Sequence, residues 1–144
     1  MKISSKGRYG LAAMVELARL CMDKPVTLSV IARKQEISLN YLEQLFGSLR
    51  KAGLVVSVKG PNGGYKLKKP PRNTNCKEIL EALEGTFSVV EQKEESSSME
   101  RCLYEQVFKP LSKEIEDYLD DITLEKLVLE YESNNDNEAY MYYI

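Results

Sequence analysis

Residues 27–67 read TLSVIARKQEISLNYLEQLFGSLRKAGLVVSVKGPNGGYKL, and this stretch decides the fold. Thr27 is placed to cap a short helix whose inner face is Leu28, Ile31 and Ala32. Glu36-Ile37-Ser38 is a brief connection, and Ser38 caps a second helix. Leu42, Leu45, Phe46 and Leu49 form one apolar stripe along it, and Gly53 supplies a stop. Two helices joined by so short a turn predict a helix-turn-helix unit. Leu54-Val55-Val56-Ser57-Val58 is β-branched and reads as a strand. The glycine- and asparagine-rich segment Lys59 to Gly64 turns the chain, and Tyr65-Lys66-Leu67-Lys68 returns as a second strand. A hairpin directly after the second helix of such a pair is a wing, closed here by Pro70-Pro71.

Upstream, Ser4 or Ser5 can cap a first helix carrying Tyr9, Met14, Val15, Ala18 and Cys21 at helical spacing, ended by Asp23-Lys24-Pro25. Downstream, Thr74 or Asn75 can cap a helix from Cys76 to Glu84, with Ile79, Leu80 and Leu83 inward. Residues 91–98 are polar and free of apolar side chains, which predicts a loop. A long helix follows, with Met99, Leu103, Val107, Leu111, Ile115 and Leu119 spaced four apart and Pro110 expected to kink or split it. This stripe reads either as a dimer contact or as an ordinary packing face. Thr123 to Tyr131 reads as a last short helix, before a polar segment and an apolar end, Ala139-Tyr140-Met141-Tyr142-Tyr143-Ile144. The expectation is a mainly α fold with a small β-hairpin wing. Residues 1–71 form the winged helix-turn-helix, 72–131 a helical linker, sensing loop and dimerisation helices, and 132–144 a flexible C-terminal tail.

At 144 residues with 43% hydrophobic and 29% charged side chains, the chain can bury one compact core. No run approaches a membrane span and the N-terminus does not read as a signal peptide, so no membrane partner is expected. Three widely spaced cysteines do not read as a disulfide framework, which points to a cytoplasmic location. The net charge of −2 hides an asymmetry: residues 1–70 carry 13 Lys and Arg against 4 Asp and Glu, whereas residues 71–144 carry 7 against 18. A +9 half joined to a −11 half suggests a polyanion-binding module attached to one that does not bind polyanions. With no histidine, no phosphate-cradling glycine motif and no paired metal ligands, catalysis has little support. A protein-binding module is the other rival, and salt-insensitive or absent DNA binding would favour it.

If the apolar stripe of the second helix faces inward, Asn40, Tyr41, Glu43 and Gln44 lie outward near its N-terminus, the end such a unit points into the major groove. Asn40 and Gln44 can pair with adenine, and Glu43 can accept from cytosine. Glu43 repels phosphate, so it would act as a specificity gate. Ser38 and Tyr41 suit phosphate. Lys59, Asn62 and Gly63 place a cation and small residues at the wing, where the backbone could approach a minor groove. Lys2, Lys6, Arg8, Arg50 and Lys51 are candidate phosphate partners.

Met1 to Leu11, Ser38 to Leu45, Leu49 to Val55, Lys59 to Tyr65 and Glu78 to Gly85 together resemble the Rrf-type winged-helix regulators, over nearly the whole chain. The resemblance implies a homodimer with crossed long helices on a roughly twofold-symmetric operator, usually as a repressor. Cluster-binding members carry three closely spaced cysteines before the long helix. Here Cys102 alone matches, with Ser96, Ser97 and Ser98 upstream, so no cofactor is expected and an iron–sulfur cluster is disfavoured. A cluster, redox or nitric-oxide sensor of the same family is the alternative. The end of the chain looks like the tail of the family's cysteine-metabolism repressors, which form a complex with cysteine synthase. By that resemblance Tyr142, Tyr143 and Ile144 would bind the enzyme, the terminal carboxylate being captured by backbone N–H groups. A tail folded on its own body is the other reading. Cys21 reads as a buried core thiol. Cys76, at a helix start where the dipole favours thiolate, and Cys102 stay open as redox candidates.

Overall fold

The computed structural model describes the backbone of residues 2–21, 23–91 and 93–142, and side chains up to residue 136. Helix α1 spans Ser5–Leu20, α2 Leu28–Gln35 and α3 Leu39–Lys51. Strands β1 (Val55–Val58) and β2 (Gly64–Leu67) pair antiparallel, with Val55 opposite Leu67 and Val58 opposite Gly64. Then come α4 (Cys76–Glu84), α5 (Ser98–Leu103), α6 (Lys109–Asp120) and α7 (Leu124–Tyr142). This is the mainly α architecture with a two-stranded wing that the sequence predicts.

The stripe of α3 is buried as expected: Leu42, Leu45, Phe46 and Leu49 join Ala13, Met14 and Leu17 of α1 and Ile31 of α2. Ile79 of α4 and Leu124 of α7 complete the same core. The turn between α2 and α3 passes through Glu36 in the left-handed region at φ 55°. Its N–H bonds the carbonyls of Ala32 and Arg33, which ends α2 within one residue and lets α3 start at once. The wing is pinned to the body at Val26, whose N–H and C=O both pair with Tyr65, at 2.9 and 2.8 Å.

Two elements differ from their sequence reading and a third is made specific. At Pro110 the regular α-helix is interrupted without the chain leaving the helix. A π-helical segment, Tyr104–Phe108, links α5 to α6, and the Lys109 N–H bonds the carbonyl of Tyr104 five residues back. Proline cannot donate to the carbonyl four residues before it and its ring crowds that carbonyl. Widening the preceding turn by one residue accommodates both effects. The last helix does not stop at Tyr131 but runs on to Tyr142, so residues 132–142 are helical rather than the expected flexible tail. Polarity there marks a solvated helix surface, since Ser133, Asn134, Asn135 and Asp136 are all exposed. Finally, Ser4 occupies the cap position of α1 but makes no cap bond with its own side chain. Glu84 accepts the Gly7 N–H instead.

α7 is held against α1 by a charged cluster. Glu16 is buried and takes Arg19 Nη1 at 2.9 and 3.1 Å, with Lys34 Nζ of α2 at 3.7 Å. The Arg19 guanidinium also lies 4.5 Å above the Tyr131 ring. Among the described residues no helix is long and apolar enough to cross a membrane.

Candidate nucleic-acid interface

An open cleft runs between α3 and the wing. Leu39 and Glu43 form one wall, Gly60, Pro61 and Gly63 the other, with Thr27 and Ser29 at its end. Asn40, Glu43, Gln44, Lys59 and Asn62 are all exposed, as are Arg50 and Lys51 at the far end of α3. Of the residues that the sequence assigned to DNA contact, the cleft brings Glu43 and Gly63 together, while Asn40, Gln44, Lys59 and Asn62 are exposed without lining it. Among the described residues Glu43 forms no salt bridge, so its charge is left for whatever enters the cleft. Lys2, Lys6 and Arg8 are exposed around the start of α1.

Four details refine the residue roles. Ser38 Oγ accepts the Tyr41 N–H at 3.1 Å, so both groups are spent on capping α3 and only the Ser38 hydroxyl proton is left to donate. The Tyr41 ring is half-buried, edge-on to Tyr9 at 6.2 Å between centroids, which makes it chiefly a packing residue. The tip glycines have an internal reason. A Cβ at Gly63 would strike the carbonyl of Val58, and Gly64, at φ 147°, lies against the backbone of Val26. Thr27, Ser29, Leu39 and Pro61 line the cleft without having been singled out as contacts. Thr27, expected only as the cap of α2, makes no side-chain cap bond, and its hydroxyl lies 3.2 Å from that of Ser29.

The fold, the cleft and the basic N-terminal half all belong to a protein that reads duplex DNA. Residues 3–130 match the Rrf2 family, described as an iron-dependent transcriptional regulator. The chain belongs to the Rrf2 family. It is thus a DNA-binding transcription regulator, of a family of regulators rather than enzymes. Over 134 residues it is 41% identical to the HTH-type transcriptional regulator IscR of Aliivibrio salmonicida, covering 92% of this chain and 80% of that one. Its structure is similar to that of CymR, the global cysteine regulator of B. subtilis, with a TM-score of 0.76 and 40% identity over 90% of this chain and 98% of that. T. potens IscR gives a TM-score of 0.74 at 40% identity, covering 93% and 90%.

The donors that an iron centre would need are few among the described residues and lie apart. Cys102 is exposed on α5, whereas Cys76 is buried on α4 and Cys21 lies at the end of α1. Ser97 Oγ is engaged in capping α5 by accepting the Glu100 N–H, Ser96 donates to the Lys93 carbonyl, and Glu105 pairs with Lys109 at 3.4 Å. Among the described residues no three His, Cys, Asp or Glu side chains come together as a metal site. One thiol among serines does not fit an iron–sulfur cluster, which needs several soft thiolate or imidazole donors.

Burial also overturns the dipole argument for Cys76. Desolvation pushes its thiol above the ordinary value of 9.0, so the helix start does not activate it. Tyr143 and Ile144 lie outside the described residues. Tyr142 ends α7, and its side chain also lies outside them.

Proposed function

We propose that this regulator is a homodimeric repressor of cysteine and sulfur metabolism genes that responds through a complex with cysteine synthase. The observation that carries the DNA-reading part is the shared exposed face of α3 and the wing. In this reading Asn40, Gln44 and Glu43 meet base edges, while Lys2, Lys6, Arg8, Ser38, Arg50, Lys51 and Lys59 meet phosphate. Asn62 and Gly63 bring the wing backbone to the groove. Residues 1–71 do the reading, 72–131 link, sense and dimerise, and 132–144 present the partner-binding end.

Dimerisation is supported by what the long helix leaves uncovered. Met99, Leu103, Val107 and Leu111 are 66%, 44%, 47% and 46% exposed. The line continues through half-buried Ile115 and Leu119 into an apolar depression shared with Ile3, Leu80 and Phe87. Four large apolar side chains in one row on a soluble helix favour a second copy of the same helix as their cover. The cysteine-metabolism part rests on the similarity to CymR and on the Tyr142-Tyr143-Ile144 end. Calorimetric titration with cysteine synthase tests it, using the full chain and one lacking Ile144. Binding that requires Ile144 is expected. Equal binding by both forms, or none by either, sinks it.

The iron-dependent family description and the IscR relatives favour a second reading, a cluster or redox sensor. An anaerobically purified protein with no visible charge-transfer absorption would count against the cluster version.

A further inference from the structure

Two glycines sit three residues apart near the start of α1, Gly7 in its first turn and Gly10 in its second, where a glycine costs up to about 1 kcal/mol of helix stability relative to alanine. Neither is needed for backbone conformation, since only Gly53, Gly60, Gly64 and Gly85 have positive φ. Both are buried, and both are filled from the same place. A Cβ at Gly7 would collide with the Glu84 carboxylate, and one at Gly10 with the Leu83 side chain. The end of α4 is thus docked into a notch in α1.

Glu84 Oε1 accepts three hydrogen bonds there: from Ser4 N–H at 2.9 Å, from Ser4 Oγ–H, and from Gly7 N–H at 3.0 Å. The first turn of α1 contains no acidic residue of its own. Its positive end is therefore answered by a carboxylate 80 residues away in sequence. The Ser4 hydroxyl, chiefly, holds this carboxyl below its ordinary 4.5, so it is ionised at neutral pH. Lys2 precedes the capped turn, and Lys6 and Arg8 lie within it and just beyond.

We propose that Glu84 is a positioning residue for operator binding: seated in the Gly7–Gly10 notch, it caps α1 from a distance and fixes the direction in which Lys2, Lys6 and Arg8 are presented to DNA. A first turn of α1 that is free to fray, with the residues just before it, delivers Lys2, Lys6 and Arg8 to phosphate with an added ordering cost. One held by three hydrogen bonds does not. The proposal rests on the reading that these three cations meet phosphate, and the experiment separates the two.

Operator affinity is measured from 50 to 300 mM salt for the full-length protein and for variants, with thermal melts alongside. Replacing Lys2, Lys6 and Arg8 together by Gln should lower the salt slope by about 2.7 per bound subunit, and so about 5.4 for a dimer, at roughly 0.9 per lost phosphate contact. Glu84→Ala should weaken binding about tenfold and lower the slope by roughly 0.9 or more. Gly7→Ala should behave like Glu84→Ala. Glu84→Gln, which keeps an acceptor oxygen, should recover most of the lost affinity. If the triple variant leaves the slope unchanged, the phosphate reading fails and the proposal with it. If the triple variant lowers the slope but Glu84→Ala changes only the melting temperature, the proposal alone is overturned. Should Glu84→Ala not fold, Ser4→Ala decides. That change removes one exposed hydroxyl donor and should reduce affinity and slope in part, and an unchanged slope overturns the proposal.

Discussion

α3 and the α5–α6 helix carry the same kind of sequence, leucines and other large apolar residues repeated every three or four positions, and meet opposite fates. In α3 the stripe is sealed against α1, α2 and α4. In α5–α6 it is exposed from Met99 to Leu111 and only half-buried at Ile115 and Leu119. Periodicity identifies which face is apolar, but the cover is set by what remains unpaired once the core is full. The stripe of α3 therefore stabilises the single chain, whereas that of α5–α6 is a free surface whose burial, in the dimeric reading, awaits a second molecule.

The contrast can be broken by making equivalent cuts in each helix. Phe46→Ala should destabilise the chain by about 3–5 kcal/mol, through lost transfer energy and a cavity between α3 and the wing. Chemical denaturation reads this directly, and a cost under 1 kcal/mol would mean that the α3 core is not rigid. Leu124→Ala should cost about 2–5 kcal/mol by the same mechanism, although it lies beyond the long helix in sequence. Val107→Ala, by contrast, should leave the denaturation midpoint of dilute protein within about 0.5 kcal/mol of the parent. Leu103→Glu with Leu111→Glu should convert a sedimenting dimer into a folded monomer. A dimer that survives both charges would place the contact elsewhere.

Smaller effects sharpen the comparison. Glu43→Ala should relax discrimination at one operator base pair by about 1–3 kcal/mol while raising affinity for non-cognate duplex, as selection on randomised operators would register. Thiol reactivity should follow burial, with Cys102 labelled first, Cys21 more slowly and Cys76 only on unfolding. The pH dependence of stability has a definite sign at Cys76. Its folded pKa is raised above 9.0, so its contribution is fully present below that value and is lost as pH climbs through the folded pKa. Alkaline destabilisation that is unaltered in Cys76→Ala would contradict this.

Much of this was legible in the residues. The helix-turn-helix, the wing and the outward set on α3 follow from local signals: Ser38 as a cap, the three-residue connection, and alternating strands around a glycine-rich turn. What was not legible depends on partners distant in sequence. Nothing near Gly63 announces that Val58 needs the space, so its glycine looked like an adaptation to DNA. Helix α7 continues through a polar run that a local reading took for a tail, because a solvated helix surface and a loop share a composition. Glu84 had no local signature at all. The signal lay in α1, as two interior glycines without a conformational reason. The π-turn before Pro110 was missed because proline predicts an interruption of the hydrogen-bond ladder but not which repair the chain adopts.

Leu124, fully buried in the core of the DNA-reading half, has a consequence for how the molecule is made. Synthesis is vectorial, and domains commonly fold as they emerge. This one lacks part of its core when the wing leaves the ribosome, because the last apolar plug lies beyond the long helix, some fifty residues later. By then the α5–α6 surface is already outside and available to a sister chain. In the dimeric reading, full stability of the DNA-reading core is thereby deferred until the pairing segment has been translated, which works against a half-made regulator occupying an operator.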